Sequence, residues 1–425
     1  MIGKKIDILL SSEFFKSSTI LILGTFFAQV FPFLMQPFLR RIYTPDEFGT
    51  AAVYLAILSI LSIIASLNYS VTIVLPKSDD EASYLVKGSV MISFTFSIIL
   101  FLLVLLFGHK FIKIMQFSNQ LYPWLYLLPL SVFINSSHLI LGNWLTRKKA
   151  FKKLSINKIS RRFSEGGAQL VLGKYSNYGG GLILGSFIGD FTNFITYIFQ
   201  YKYTSGSFKF QLTFIKNALI KYIHFPKKNL IANLFSAISL FLPVLMVSSF
   251  FLSDIAGQFD LSRQVLSIPL SLISLSVSQV FMQKISELIN FKKSIKKIFY
   301  KLFLFLIISS ILFILPLFFY GKALFILLFG ENWIFAAEIT SILVFGYAIK
   351  FIVAPLSVSL IVLEELRVNS IWQISYFAAI ISLCFFNNLP FKSFILLYLI
   401  VDVVFYTCYL FLIIQAIKKY ETSIY

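Results

Sequence analysis

The sequence predicts an all-α integral membrane protein of about twelve transmembrane helices, six in each half of the chain. Three observations predict it. Of the 425 residues 58% are hydrophobic and only 13% are charged, whereas soluble domains are about a quarter charged. Apolar runs of about 20 residues recur along the chain, each long enough to cross a hydrocarbon core of about 30 Å. The runs are continuously apolar rather than alternating. That pattern selects helices over barrel strands, the two elements that satisfy their own backbone in lipid.

The runs lie at 17–39, 49–74, 88–108, 121–144, 160–175, 180–201, 229–252, 258–283, 300–320, 334–362, 368–388 and 392–416. The first follows Lys4, Lys5 and Lys16, is too long for a signal h-region and precedes no small-residue cleavage site, so it reads as a retained span. Cys384 and Cys408 fall inside apolar runs and read as buried, inert thiols. With the N-terminus placed inside, the inside segments hold 28 of the 37 basic residues and the outside segments seven, leaving Arg263 and Lys350 within spans. That bias supports an even span count with both termini cytoplasmic. It also gives the net charge of +19 a topological cause, together with anionic inner-leaflet lipid, and removes the reason to invoke nucleic acid.

The longest inside loop, 202–228, divides the chain into an N-terminal six-helix lobe at 1–205, a basic cytoplasmic linker at 206–228 and a C-terminal six-helix lobe at 229–425. FPFLMQPFLRRIYTPDEFG near the first span has a loose echo in LFLPVLMVSSFFLSDIAGQF near the seventh. Each has an in-span proline, a short acidic turn and a glycine opening the next helix, the weak internal symmetry of transporter halves. No outside loop exceeds about 20 residues, which leaves no room for an external domain. In TPDEFG, Thr44 reads as a helix cap, Pro45 as the first helical residue, and Asp46 and Glu47 as first-turn acids.

An ionisable residue at bilayer depth costs at least ~2.5–3.5 kcal/mol on insertion scales, so each needs a cavity or a partner. In LSRQVLSIPLSLISLSVSQVFMQK, Arg263, Ser267, Ser271, Ser274 and Ser278 share one helix face. The stripe suits the wall of a water-filled cavity. Close helix packing explains the serines well but Arg263 badly, unless Arg263 pairs with Asp260 one turn earlier. In KISRRFSEGGAQLVLG, Arg161, Glu165 and Gln169 share a face, with Arg162 beside them. Either Arg161 pairs with Glu165 within the helix, or the helix starts near Gly166 and the charges lie in the inside loop. Gln29, Gln36 and Arg40 share a face of the first span, which Pro32 and Pro37 would kink or open. Arg40 and Arg41 sit at its outside end, as ligand contacts or as headgroup snorkels.

Lys350 lies mid-span in FGYAIKFIVAP with Tyr347 and Ala354 on its face, open to ligand contact or to pairing with a distant acid such as Asp402. Asp190 and Asp402 are the in-span acids, open to a coupling H+ or Na+ or to a structural role beside a basic residue. His138 and the 50 Phe and 21 Tyr read as packing and lipid contact. The chain has no P-loop, no Cys/His metal cluster, no GxSxG and no paired catalytic carboxylates, so no enzyme, metal site or cofactor is predicted.

RRIYTPDEFGTAAVYLAILSIL, NWLTRKKAFKKLSINKISRRFSEGGAQLVLG and AGQFDLSRQVLSIPLSLISLSVSQVF resemble the polysaccharide-transporter, or O-antigen flippase, branch of the multidrug/oligosaccharidyl-lipid/polysaccharide exporter superfamily. The resemblance runs over essentially the whole chain. It implies two six-helix lobes around a central cavity, in the cytoplasmic (inner) membrane of a bacterium. The implied activity is flipping an undecaprenyl-pyrophosphate-linked oligosaccharide, for O-antigen, capsule or a related glycan, between leaflets by alternating access. Implied partners are membrane lipid and the polymerase and glycosyltransferases of the same pathway. On that reading Arg40, Arg41, Arg161, Arg162, Arg263 and Lys350 contact the anionic substrate. Glu165, Asp190 and Asp402 support them or couple an ion, and Gln29, Gln36, Gln169, Ser267, Ser271 and Ser274 line the cavity. A cation-coupled multidrug exporter of the same superfamily is the alternative, disfavoured by the basic in-span balance. A polytopic glycosyltransferase or polymerase is disfavoured by the small outside loops.

Overall fold

The computed structural model describes residues 13–173, 180–205 and 211–424. Lys4, Lys5, Lys174 and Lys209, counted for the topology, lie outside the described residues. The described chain is helical, and each of the twelve apolar runs overlaps a helix. The helices are α1 (Glu13–Ile42), α2 (Pro45–Ala65), α3 (Asp79–Met115), α4 (Leu128–Arg147), α5 (Phe151–Leu172), α6 (Gly180–Ser205), α7 (Leu212–Lys221), α8 (His224–Phe250), α9 (Ser253–Asn290), α10 (Lys296–Phe329), α11 (Ile334–Leu356), α12 (Leu366–Ser382) and α13 (Phe391–Ile424). Nine helical segments among the described residues are long and apolar enough to cross a membrane, or ten with the pair Asn119–Leu125 and Leu128–Arg147, which bends by 60°.

Several boundaries depart from the sequence reading. The second run is broken: α2 ends at Ala65 and a 3-10 turn covers Tyr69–Val74. Leu67 and Asn68 take positive φ (43° and 59°) there, which a continuing helix forbids. The basic linker, read as loop, contains the helix α7, because Ile215 and Ala218 give it an apolar face to bury. Cys384 and Cys408 are exposed on the helix surface, not buried. TPDEFG forms the cap read from sequence: Glu47 N–H donates to Thr44 Oγ1 at 3.3 Å and Thr44 N–H to Glu47 Oε2 at 2.8 Å.

The surface is inverted relative to a soluble protein. On α3 the buried positions include Ser89, Ser93, Ser97 and Gly108, whereas Phe94, Leu102, Leu106 and Phe107 are exposed. Ser93 and Ser136 join hydroxyl to hydroxyl between α3 and α4. Small polar residues inside and large apolar ones outside suit helices that pack against each other and face lipid.

The chain divides into two compact units, Met1–Ala237 and Ile238–Tyr425. In the first, α5 and α6 run antiparallel. Asn157 and Gln200 exchange amide hydrogen bonds of 2.8 and 3.0 Å at one end, and Gln169 Nε2 donates to the Leu182 carbonyl at 3.2 Å at the other. Glycines allow this approach: a Cβ on Gly189 would stand 2.9 Å from the Arg161 carbonyl oxygen. The helix α1 lies along α5, with Phe31 stacked on Phe163 at 4.0 Å and Tyr43 Oη donating to the Gln169 carbonyl at 2.6 Å. Arg147 ties α4 to the loop before α3, donating to Asp79 Oδ1 at 2.9 Å and to the Pro76 carbonyl at 2.6 Å. Lys221 of α7 pairs with Glu81 of α3 at 2.5 Å.

In the second unit, α9 and α11 are joined by Gln258, which accepts from Ala336 N–H at 3.0 Å, and by Ser262, which donates to the Ala336 carbonyl at 2.6 Å. The hairpin of α12 and α13 is closed by Trp372 Nε1 to the Phe405 carbonyl (2.9 Å) and Tyr409 Oη to Asn369 Oδ1 (2.6 Å). Glu421, near the end of α13, accepts from Ile295 and Lys296 N–H at 2.8 and 3.1 Å and so caps α10.

Candidate functional site

The helix α5 is continuous from Phe151 to Leu172. The reading in which it starts near Gly166 is therefore overturned, and Lys158, Arg161, Arg162 and Glu165 all lie within it. They can do so because neighbouring helices supply partners. Arg161 Nε lies 2.5 Å from Asp190 Oδ1 of α6, with the acid only 4% exposed. Arg162 Nη1 donates to Glu165 Oε2 at 2.8 Å, and Glu165 Oε1 accepts from Ser186 of α6 at 2.9 Å. This corrects the Arg161–Glu165 pair read from helical spacing. Glu165 turns to Arg162 on the preceding turn, because its other oxygen is fixed by Ser186.

Beside these pairs lies a cavity of about 380 Å³, lined by Thr25 and Gln29 of α1, His138 and Asn143 of α4, Lys158, Arg161 and Arg162 of α5, and Asn193 and Tyr197 of α6. That volume falls within the range of about 300–1,000 Å³ common to ligand pockets. Three cations line it. Arg161 and Arg162 each hold a carboxylate, whereas Lys158 Nζ donates to the Thr25 hydroxyl at 2.9 Å and has no carboxylate partner among the described residues. Asn193 Oδ1 and His138 Nδ1 are buried with no hydrogen-bond partner among the described residues. Buried polar atoms are nearly always bonded to protein or water, so the cavity is a place for water or for a polar ligand. Its charge excess and its donors (guanidinium, ammonium, carboxamide and phenol) suit an anion carrying hydroxyl groups.

Of the residues singled out from sequence, Gln29, Arg161 and Arg162 line this cavity, and Glu165 and Asp190 stand behind it. Gln169 does not line it: its amide is spent on the Leu182 carbonyl and it is packed beneath Gly185. Arg40 is 2% exposed, donates its Nε–H to Gln36 Oε1 at 3.1 Å and sits over the Phe48 ring with its Cζ 3.5 Å from the centroid. Gln36 is thereby tied to Arg40, and Arg41 is exposed. His138, read from sequence as packing, lines the cavity instead, and Lys158, Thr25, Asn193 and Tyr197 are lining residues that the sequence reading does not single out. The signals were present: Lys158 and Arg161 lie three apart on α5, and Asp190, Asn193 and Tyr197 fall on one face of α6.

The second unit holds the other in-span charges. Lys350 Nζ lies 2.6 Å from Asp402 Oδ2, so the distant-acid alternative is the one realised. Tyr376 Oη donates to Asp402 Oδ1 at 2.7 Å, and the ammonium faces the rings of Tyr347, Tyr398 and Tyr406 at 5.0, 5.5 and 5.4 Å. Arg263 Nη2 donates to the Leu240 carbonyl at 2.8 Å, and Asp260, one turn earlier, accepts from Gln264 at 2.6 Å. Of the serine stripe, Ser271 returns its hydroxyl to the Ile268 carbonyl at 2.9 Å and Ser274 is buried, while Ser267 is partly buried. Among the described residues no group of three or more His, Cys, Asp or Glu is placed to hold a metal ion.

No curated protein matches the sequence. Among solved structures, the fold is similar to that of the lipid II flippase MurJ in an inward closed conformation, with a TM-score of 0.73 at 16% identity, covering 96% of this chain and 90% of that one. It is similar to an inward-facing multidrug resistance MATE family transporter of the MOP superfamily, with a TM-score of 0.72 at 10% identity over 93% and 96% of the two chains. The MATE multidrug transporter DinF-BH gives a TM-score of 0.62 at 13% identity over 94% of each chain. At these identities the likeness speaks for the fold. Residues 38–338 match the family described as polysaccharide biosynthesis protein, and the chain belongs to that family.

Proposed function

We propose that the protein is a flippase that carries a lipid-linked oligosaccharide, joined to its polyprenyl carrier through a diphosphate, from the inner to the outer leaflet of a bacterial cytoplasmic membrane. The carrying observation is the polar cavity of the first unit, in which Lys158, Arg161 and Arg162 face Gln29, Asn193 and Tyr197 inside a bundle of membrane helices. Cations at that depth are costly unless they serve a ligand or a partner. Here the carboxylates neutralise only the two arginines, so the lysine remains for an incoming anion. A diphosphate accepts from arginine in the bidentate manner that lysine and neutral groups cannot match. The carboxamides and the tyrosine suit sugar hydroxyls. Membership of the polysaccharide biosynthesis family supports a saccharide cargo.

Transport by alternating access of the two halves, coupling to H+ or Na+, cytoplasmic termini, and work beside a polymerase and glycosyltransferases complete the proposal. The multidrug alternative asks for a carboxylate ready to receive a cationic drug. Glu165, Asp190 and Asp402 are each held by a basic side chain at 2.8, 2.5 and 2.6 Å, which disfavours it. The test uses purified protein in liposomes, with a polyprenyl-diphosphate oligosaccharide in one sample and a cationic dye in the other. Lipid movement without dye efflux is the expected result. Dye efflux with static lipid would overturn the proposal.

A further inference from the structure

The hairpin of α9 and α10 carries a second cavity that the translocation reading does not use. It is a trough of about 540 Å³ between the helices, with Val277 and Val280 of α9 and Leu302 and Phe305 of α10 along it and Lys284 and Lys301 at one end. The residues fall at helical spacing on one face of each helix. Lys284 precedes Phe291 by seven residues and Lys301 follows Ile295 by six, so the two residues stand at similar height on the two helices. From Lys284 to Val277 the trough extends about 10 Å away from the turn, at a rise of about 1.5 Å per residue. Its floor is apolar, and the hydroxyl of Ser276 is engaged by the Leu272 carbonyl at 3.2 Å.

The turn is strongly basic. Lys284, Lys292, Lys293, Lys296, Lys297 and Lys301 fall within 18 residues, and Glu287, paired with Lys284 at 2.9 Å, is the one acid among them. Glu421, the acid that α13 brings to this turn, is engaged by backbone N–H groups of Ile295 and Lys296. We propose that the trough binds an anionic phospholipid of the surrounding bilayer, its phosphate on Lys284 and Lys301 and one acyl chain along the valines, Leu302 and Phe305. A basic cluster at the membrane face attracts anionic headgroups, and an apolar trough below it fits a hydrocarbon chain. The trough's length matches the upper part of one acyl chain. Its lysines are open to solvent, unlike the enclosed cations of the first unit, and the hydroxyl that its floor carries, that of Ser276, is engaged by the Leu272 carbonyl. The site therefore fits a structural or regulatory lipid rather than the lipid-linked cargo, and it stands whether the protein moves saccharides or drugs.

The test is native mass spectrometry of the full-length protein in neutral detergent, offered equimolar phosphatidylglycerol and phosphatidylcholine. The expected result is a preference for phosphatidylglycerol of roughly thirtyfold, from two headgroup lysines. The preference should vanish in Lys284→Gln/Lys301→Gln. In Val280→Trp, which fills the trough at a position 70% exposed and leaves both lysines in place, retention of phosphatidylglycerol should fall. These residues lie on the surface, so the variants should fold, and an unchanged melting temperature checks that they do. Equal retention of the two lipids by the wild type, or a preference that survives both variants, would overturn the assignment. Displacement of phosphatidylglycerol by equimolar polyprenyl monophosphate would overturn it too, in favour of the cargo's carrier chain.

Discussion

Arg161 Nε and Asp190 Oδ1 stand 2.5 Å apart between α5 and α6, and this pair lets a helix with mean hydropathy too low for a membrane segment lie among apolar ones. Removing one member of a buried ion pair strands the other charge, at a cost of about 3 kcal/mol. Asp190→Asn is therefore expected to lower the detergent melting temperature markedly. Arg161→Gln added to Asp190→Asn is expected to recover most of the loss. A double variant no more stable than Asp190→Asn would assign the destabilisation to packing rather than charge.

Lys158 predicts the opposite pattern. Its ammonium is held by the Thr25 hydroxyl at 2.9 Å and by no carboxylate among the described residues. Lys158→Gln keeps a donor and is expected to leave the melting temperature within about 1 kcal/mol of equivalent stability. Transport of a diphosphate-linked lipid should fall by about tenfold or more, the worth of one charge-assisted contact. The measurement is flipping rate in liposomes beside thermal unfolding of the same preparation. A rate unchanged from wild type would remove Lys158 from the binding site.

Gly189 makes the close contact of α5 and α6 possible, since a Cβ there would meet the Arg161 carbonyl oxygen at 2.9 Å and Glu165 Cβ at 2.8 Å. Backbone cannot yield as a flexible side chain does. Gly189→Ala is expected to cost about 1–3 kcal/mol through overpacking and to lower the melting temperature. Gly142→Ala, whose Cβ would meet its nearest atom, Tyr197 Oη, at an ordinary 3.5 Å, is the matched control and should change little. Equal losses in the two variants would show that helix-interior glycines in this protein are not discriminated by contact.

The same contacts explain what the sequence could reveal. Lipid dictates helix length and forces every backbone group into an internal bond, so the apolar runs other than the charged fifth were visible as hydropathy alone. The cap at Thr44 was visible because its chemistry is local. The partner of Arg161 was not. Spacing along one helix pointed to Glu165, whereas the acid that reaches Arg161 comes from another helix, 29 positions on, by way of glycine-permitted contact. Lys158 falls in a loop by hydropathy, which ends a span where charges begin, although the helix itself starts at Phe151. Arg40 looked like a ligand contact from its face with Gln29 and Gln36. Its burial on Phe48 depends on how α1 meets α2, which one helix's periodicity cannot report.

Lys350 and Asp402 offer the remaining test, because their geometry allows two roles that variants separate. The acid is 1% exposed and receives both the ammonium, at 2.6 Å, and Tyr376 Oη, at 2.7 Å. Lys350→Met leaves that carboxylate buried with only a phenol beside it, and a buried charge without its partner costs about 3 kcal/mol or more. Lys350→Met is therefore expected to lower both yield and melting temperature. Lys350→Met/Asp402→Asn removes both charges, keeps an acceptor for Tyr376, and is expected to restore stability to near wild type, since replacing a whole buried pair is often neutral. Transport by this stable double variant then separates the roles. A pair that only joins α11, α12 and α13 leaves the flipping rate and its response to an imposed pH gradient as they were. A pair that takes part in ion coupling leaves a folded protein whose flipping no longer responds to the gradient.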